Sequence, residues 1–424
     1  MTEEMELYIH IPFCVKKCNY CDFLSGPADA ATQHAYALAL CQELRYLGRQ
    51  WTKRPVKISS VFIGGGTPSW LDGTDMERIL ETAFSHFSVD HDAEVTIECN
   101  PGTVTREKLL LYKKYGVNRL SIGMQSADEE ELRLLGRIHT FPQFLKTFQM
   151  ARELRFSNIN VDVMTGLPFQ KWETLKKTLE KTVRLGPEHI SAYGLIVEEG
   201  TPFYQVYASD VERREVGEAT EALPDEEAEL MLLQRTKEFL ESHGYRQYEI
   251  SNFAKKGKQC RHNAGYWKRT PYIGCGIGAA SLLENRRCSN VTDIHEYIRR
   301  CGMLGDEAKW QQGQLPEITE RAGQAVNMPG KEARYQYQSP LWDSCETLSQ
   351  KDAMAEFMFL GLRMTEGIRT EEFAEAFSVS IEEIYGPVLE KLRREGLLVA
   401  EDGRVFLTER GRNVSNVALA EFLL

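Results

Sequence analysis

The feature that most constrains the fold is an alternation running from Leu7 to about Val197, in which short apolar runs of strand character are separated by longer stretches with helical periodicity. Strands are predicted at Leu7–Ile11, Ile58–Ile63, Ala93–Glu98, Arg119–Met124, Ile159–Met164 and His189–Leu195. Between them, helical patterns cover Ala30–Gly48, Thr74–Phe87, Thr105–Tyr115, Phe141–Arg155 and Trp172–Leu185. Each helix returns the chain to the start of the next strand, so repeated units of this kind build a parallel sheet. Six units fall short of the eight that close a barrel. The expected fold is therefore α/β, an open, partial (β/α)6 TIM-like barrel.

Three cysteines, Cys14, Cys18 and Cys21, follow the first strand in C-x3-C-x2-C spacing, within Tyr8-Ile9-His10-Ile11-Pro12-Phe13-Cys14 and the residues to Phe23. Soft thiolates on one loop suit zinc or an iron–sulfur centre. A structural zinc closes with four ligands, and the next candidates, His34 and Cys41, lie in a helical stretch. An iron–sulfur cluster on three thiolates leaves one iron open for chemistry. A zinc site completed from afar, or unrelated core cysteines, are the competing readings.

Other polar and glycine motifs also fall just after strands, where sites in βα folds gather. Gly64-Gly65-Gly66-Thr67-Pro68 follows the second strand, and Glu98-Cys99-Asn100-Pro101 the third. The fourth ends in Ser121-Ile122-Gly123-Met124-Gln125-Ser126, Arg137 comes after it, and Asp162 lies in the fifth. Singly, a glycine run is a tight turn and a strand-end charge a helix cap. Several in register around one rim point to a ligand.

Composition narrows the class. No apolar run approaches the about 18 residues a membrane span needs. The acidic start, Met-Thr-Glu-Glu-Met-Glu, is unlike a secretory signal, so a cytoplasmic location is expected. Ten cysteines without short-range pairing point to a reducing compartment rather than a disulfide framework. A net charge of −11 argues against nucleic acid held on a broad basic surface.

C-x3-C-x2-C followed by an aromatic resembles the signature of radical S-adenosylmethionine (SAM) enzymes. The longer string Tyr-x-His-Ile-Pro-Phe-Cys-x3-Cys-x-Tyr-Cys is similar to the coproporphyrinogen III oxidase-like branch, which holds the HemN oxidases and the HemW heme chaperones. The resemblance implies a [4Fe–4S] cluster on Cys14, Cys18 and Cys21, SAM chelating the open iron, and one-electron reduction splitting SAM to a 5′-deoxyadenosyl radical. Tyr8, Gly65, Glu98 and the main chain near Gly66 and Thr67 match positions that contact SAM, and Gln125, Arg137 and Asp162 match further contacts. In the oxidase some of the latter serve a second SAM, as does the aromatic here represented by Tyr20. Glu98 and Asp162 are suited to accept from ribose hydroxyls or an amine, and Arg137 to clamp a carboxylate through its planar fork.

Beyond the barrel pattern, Asp225 to Ser242 reads as an amphipathic helix and Tyr245 to Ala254 as a strand and its exit. Cys260-Arg261-His262-Asn263-Ala264-Gly265-Tyr266-Trp267 contains a His-Asn-x-x-Tyr-Trp string similar to the one that marks the chaperones and is missing from the oxidases. Imidazole is a common axial heme ligand, which makes His262 the first heme-ligand candidate and Cys260 the second. Local hydrogen bonds by His262, with Tyr266 and Trp267 as packing residues, are the alternative. Asp22-Phe23 stands where the oxidases carry a further cysteine, a second departure in the same direction.

The expected domains are a radical SAM partial barrel with its extension over 1–290, a connector over 291–347 and a small winged-helix-like α+β domain over 348–424. Periodicity lapses from Gly302 to Ser344, where Tyr335, Tyr337 and Trp342 are candidates to dock the connector. Glutamates 356, 366, 371, 372, 375, 382 and 383 argue against DNA as the last domain's partner and for a lid or docking surface over the barrel. The leading expectation is a heme chaperone that binds a [4Fe–4S] cluster, SAM and heme and passes heme to an acceptor protein, with an electron donor for the cluster. A membrane-associated acceptor and a homodimer are compatible with it. An oxygen-independent coproporphyrinogen III oxidase, a radical SAM heme methyltransferase and a zinc-bearing scaffold are the alternatives. The SAM-cleaving parts leave enzymatic turnover open, while the two departures argue against a true coproporphyrinogen oxidase.

Overall fold

The computed structural model describes residues 3–51, 56–304, 319–321 and 339–423. All six predicted strands form: β1 (Glu3–Ile11), β2 (Val56–Gly65), β3 (Val89–Cys99), β4 (Arg119–Gln125), β5 (Ile159–Thr165) and β6 (His189–Gly194). They lie side by side in chain order and every neighbour is parallel. Alternation along each strand sends two different sets of side chains to the two faces. Leu7, Ile9, Ile11, Val61, Ile63, Val95, Ile97, Leu120 and Ile122 enter the main apolar core beneath the helices. The opposite face, with Glu6, Tyr8, His10, Glu98 and Asp162, is polar and lines the barrel interior.

The five predicted helices are present as Ala30–Trp51, Gly73–His86, Arg106–Lys114, Phe141–Glu153 and Trp172–Leu185. Three of their starts are fixed by side chains: Asp72 accepts from the Thr74 amide, Thr105 from Lys108, and Thr140 forms a reciprocal capping box with Gln143.

The barrel stays open because β1 and β6 pair outward. β8 (Asn252–Ala254) lies antiparallel on β6, with β7 (Arg246–Gln247) beyond it. β9 (Tyr272–Cys275) lies parallel on the free side of β1. The sheet then continues through β10 (Ala280–Leu283) and β11 (Arg286–Asn290) to β13 (Trp342–Thr347) and β12 (Thr319–Arg321). Part of the expected connector is thus built into the barrel unit. Helix Ile294–Cys301 packs on Ala30–Trp51 through Tyr297 and Tyr36, whose rings lie 5.2 Å apart, and Trp342 is buried in β13. Residues 305–318 and 322–338, including Tyr335 and Tyr337, lie outside the described residues. Cys288 and Cys345, opposite one another on β11 and β13, form a disulfide that the expectation of unpaired cysteines did not include.

The last unit has its own core around Phe373, Phe377, Tyr385 and Leu392. Helices Gln350–Gly361, Thr370–Phe377 and Ile381–Arg394 surround a small sheet of β14 (Ile368–Arg369), β16 (Arg404–Leu407) and β15 (Leu398–Glu401), the expected helices-plus-hairpin form. This unit docks against the barrel. The Thr365 amide donates to the Tyr248 carbonyl at 2.9 Å, Arg363 lies over the Trp267 ring at 4.3 Å, and Lys268 pairs with Glu366 at 3.2 Å. Those partners surround the amino-terminal ends of the strands, so the unit closes the end opposite the cysteine loop.

Gly265 sits where helix Arg261–Trp267 meets β1, and a Cβ there would stand 2.1 Å from Glu6 Oε1. Gly265→Ala is expected to destabilise the fold by about 1–3 kcal/mol through overpacking. Gly73→Ala, where a Cβ meets nothing within 4 Å, should change stability by less than about 1 kcal/mol. Denaturant midpoints of the two variants check both.

Candidate functional site

The cysteine loop is held in place by backbone before any metal is considered. The Cys14 amide donates to the Gly26 carbonyl and the Gly26 amide to that of Pro12, both at 2.9 Å. The Gly66 and Thr67 amides donate to Ile11 and Phe13 at 2.8 and 2.7 Å. On the far side, Asn19 reaches the carbonyls of Leu135 and Leu134 at 3.0 and 2.8 Å through its backbone and side-chain nitrogens. The glycine run follows from this geometry. Gly65 has φ +111° with a would-be Cβ 2.4 Å from the His10 ring, and one on Gly66 would be 2.9 Å from the Phe13 backbone. Of the main chain near Gly66 and Thr67, the two amides are therefore engaged by the loop and the carbonyls are what it leaves to a ligand.

Cys14, Cys18 and Cys21 are free and half-buried. Thr67 Oγ1 donates to Cys14 Sγ at 3.5 Å and Arg137 Nη1 to Cys18 Sγ at 3.6 Å, which fixes the orientation of both side chains. Burial pushes the Cys21 thiol up. The would-be zinc ligands are engaged elsewhere: His34 with Asp75 at 2.8 Å, and Cys41 buried in the core. Three cysteines with neither of those fourth ligands available to them fit an iron–sulfur cluster with one open iron.

Above the loop the predicted rim assembles around Gly123. A Cβ on that glycine would meet Gln125 Nε2 at 2.9 Å, Arg137 Nη2 at 3.2 Å and Asp162 Oδ2 at 3.9 Å. Glu98 Oε2 accepts from the Gly65 amide at 3.0 Å, and burial, with Asp162 nearby, raises its carboxyl to about 7. Asp162 accepts from Asn160 Nδ2 at 2.7 Å and is itself raised by burial. Arg137 is less free than expected, since Nη2 donates to Asn100 Oδ1 at 3.0 Å and to the Gly123 carbonyl at 2.8 Å. Its buried Nε has no partner among the described residues and is a donor open to a ligand. Gln125 is held at φ +68°, where β4 slips register against β5. Tyr20 packs 6.5 Å from Phe203, beside Arg137. Tyr8 donates to or accepts from His10 Nδ1 at 2.9 Å, while His10 Nε2 contacts the Leu24 carbonyl at 2.9 Å. Sequence reasoning gave no role to His10, Asn19 or Asn100. Asn100 was reachable, lying two residues beyond Glu98 on the alternation.

His262 is not part of this rim. It lies on helix Arg261–Trp267, which plugs the opposite end of the barrel, and is 1% exposed. Nδ1 bonds Ser60 Oγ at 2.8 Å and Nε2 bonds Tyr266 Oη at 3.2 Å, while burial lowers its pKa to about 3. Cys260, fully buried, donates to Glu94 Oε1 at 3.3 Å. Neither offers a free ligand atom, so the heme-ligand expectation has no support in this arrangement. Beyond the helix, a cleft of about 740 Å3 is bounded by Arg246, Lys258, Lys268, Met364 and Glu366.

A cysteine loop of this form over an open parallel barrel defines a radical SAM protein, a class that works with a [4Fe–4S] cluster and SAM. Residues 8–182 match the radical SAM superfamily and residues 348–414 the HemN C-terminal domain. The heme chaperone HemW of Bacillus subtilis is 32% identical over 98% of both chains, and that of Escherichia coli is 40% identical over 65% of this chain and 69% of its own. A mitochondrial radical S-adenosyl methionine domain-containing protein 1 of Danio rerio is 30% identical over 94% of this chain and 82% of its own. In structure, the chain is similar to the E. coli coproporphyrinogen III oxidase HemN, with TM-score 0.77 and 21% identity over 99% of this chain and 90% of that one. The chain belongs to the HemW family. Among the described residues, no helix is long and apolar enough to cross a membrane.

The raised Glu98 carboxyl predicts a pH dependence. For Glu98 as a SAM contact the ionised carboxylate is the stronger acceptor, so SAM affinity is expected to rise from about pH 6 to about pH 8. Glu98→Gln should flatten the profile. Equilibrium binding to the reconstituted protein checks this, and a flat profile in the unaltered chain contradicts it.

Proposed function

We propose that this chain is a heme chaperone: it holds a [4Fe–4S] cluster on Cys14, Cys18 and Cys21, SAM on the rim above them, and heme for delivery to an acceptor protein. The observation that carries the reading is kinship with the B. subtilis chaperone across 98% of both lengths. The likeness to the HemN oxidase shows the fold alone.

Within that reading the residues divide the work. The three cysteines supply thiolates, and Thr67 and Arg137 steady the charge on two of them by hydrogen bonding. Glu98 and Asp162 accept from the polar groups of SAM, Arg137 offers Nε to its carboxylate, and Tyr8, Gly65, Gln125 and Tyr20 shape the walls. The main chain at Gly66 and Thr67 acts through the loop it clasps. When bound, the cluster supplies one-electron reduction of SAM, for which an electron donor is a required partner. Heme is the cargo and a heme-accepting protein the second partner. His262 and Cys260 are each hydrogen-bonded within the chain, so this reading gives them no part in holding its iron.

The oxidase is the second reading, favoured by the complete set of SAM-facing residues and opposed by Asp22-Phe23. Anaerobic reconstitution followed by reduction separates them, with coproporphyrinogen III and SAM in one vessel and heme and SAM in another. A chaperone retains heme and forms no porphyrin product. Protoporphyrinogen appearing in step with 5′-deoxyadenosine would make the protein an oxidase.

A further inference from the structure

We infer that His262 is a positioning residue for Tyr8: its imidazole supports the Tyr8 and Phe62 rings from beneath and so sets the wall of the SAM site. This rests on the reading of Tyr8 as a SAM contact.

Tyr8 and Phe62 are register partners on β1 and β2, and their rings lie 6.4 Å apart. The His262 ring stacks on Phe62 at 5.2 Å and 23°, and on Tyr8 at 6.4 Å and 30°. Two hydroxyls, those of Ser60 and Tyr266, bond its two ring nitrogens and so fix the ring about its own axis. Phenylalanine would fill the space without that constraint. The backbone is fixed as firmly, because Glu94 Oε1 accepts from the amides of Arg261 and His262 at 3.0 and 3.3 Å and from the Cys260 thiol.

The connection continues upward. Tyr8 bonds His10 Nδ1, and His10 Nε2 bonds the Leu24 carbonyl just past the last cysteine. A displaced Tyr8 therefore disturbs the SAM wall, while the cysteine loop keeps its own backbone bonds to Gly26, Gly66 and Thr67. A heme-ligand role would need His262 to leave Ser60 and Tyr266 and expose a ring now 1% accessible. The positioning role needs no movement.

The test is a double-mutant cycle on the anaerobically reconstituted full chain, using His262→Ala, Tyr8→Ala and the pair. The readouts are SAM affinity, the shift that SAM causes in the electron paramagnetic resonance spectrum of the reduced cluster, and retention of added heme. Each single change is expected to weaken SAM binding by about tenfold and diminish the spectral shift, with iron content and heme retention kept. The pair should be no weaker than Tyr8→Ala alone. His262→Phe, which keeps a ring against Phe62 without the bonds to Ser60 and Tyr266, should recover part of the loss and carries the test should the alanine variant fail to fold.

Additive effects, or loss of heme with SAM binding intact, would overturn the inference while leaving the SAM site standing. If Tyr8→Ala itself leaves SAM affinity unchanged, the reading of Tyr8 falls and takes the inference with it.

Discussion

Everything at the candidate site depends on the clasp between the ends of β1 and β2. Parallel pairing brings Ile11 opposite Gly65, and the next two amides, Gly66 and Thr67, close onto the carbonyls of Ile11 and Phe13. Backbone hydrogen bonds between two buried strand ends contribute about 1 kcal/mol each, but the greater cost lies in leaving such groups unpaired. The clasp therefore leaves the cysteine loop little freedom. It also accounts for the glycines, since side chains at Gly65 or Gly66 would strike His10 or the Phe13 backbone.

From that fixed loop the barrel interior reads as two ends with separate tasks. The carboxyl-terminal end gathers thiolates, two raised carboxyls and a guanidinium, groups that bind a polar, charged ligand beside a metal cluster. The amino-terminal end is stoppered by helix Arg261–Trp267 and covered by the last unit. Arg269 and Arg287 converge there on Glu356 of that unit, at 3.2 Å and 2.5 Å. Buried or half-buried pairs of this kind fix orientation more than they add stability.

The fold was legible because its signals were periodic. Six apolar runs at βα spacing gave six strands within a few residues of their observed bounds, and the cysteine spacing marked the loop. Two things were hidden. The first was pairing at the barrel edges, because β7 and β9 are short and nothing local assigns them a neighbour. The second was which end of the barrel a motif occupies. His262 carries ligand chemistry, yet helix Arg261–Trp267 turns it inward, and only the contacts with Ser60 and Phe62 reveal that. The engagement of the Gly66 and Thr67 amides was hidden for a related reason: a sequence shows which donors exist, not which carbonyls reach them first.

The most direct test of the account is the Mössbauer spectrum of the anaerobically reconstituted protein, recorded with and without SAM. The account predicts a four-iron cluster in which one iron becomes distinct from the other three when SAM is added, and loss of that cluster in Cys14→Ala. Four irons that stay equivalent, or full iron content in Cys14→Ala, would contradict the assignment of Cys14, Cys18 and Cys21 as the whole ligand set.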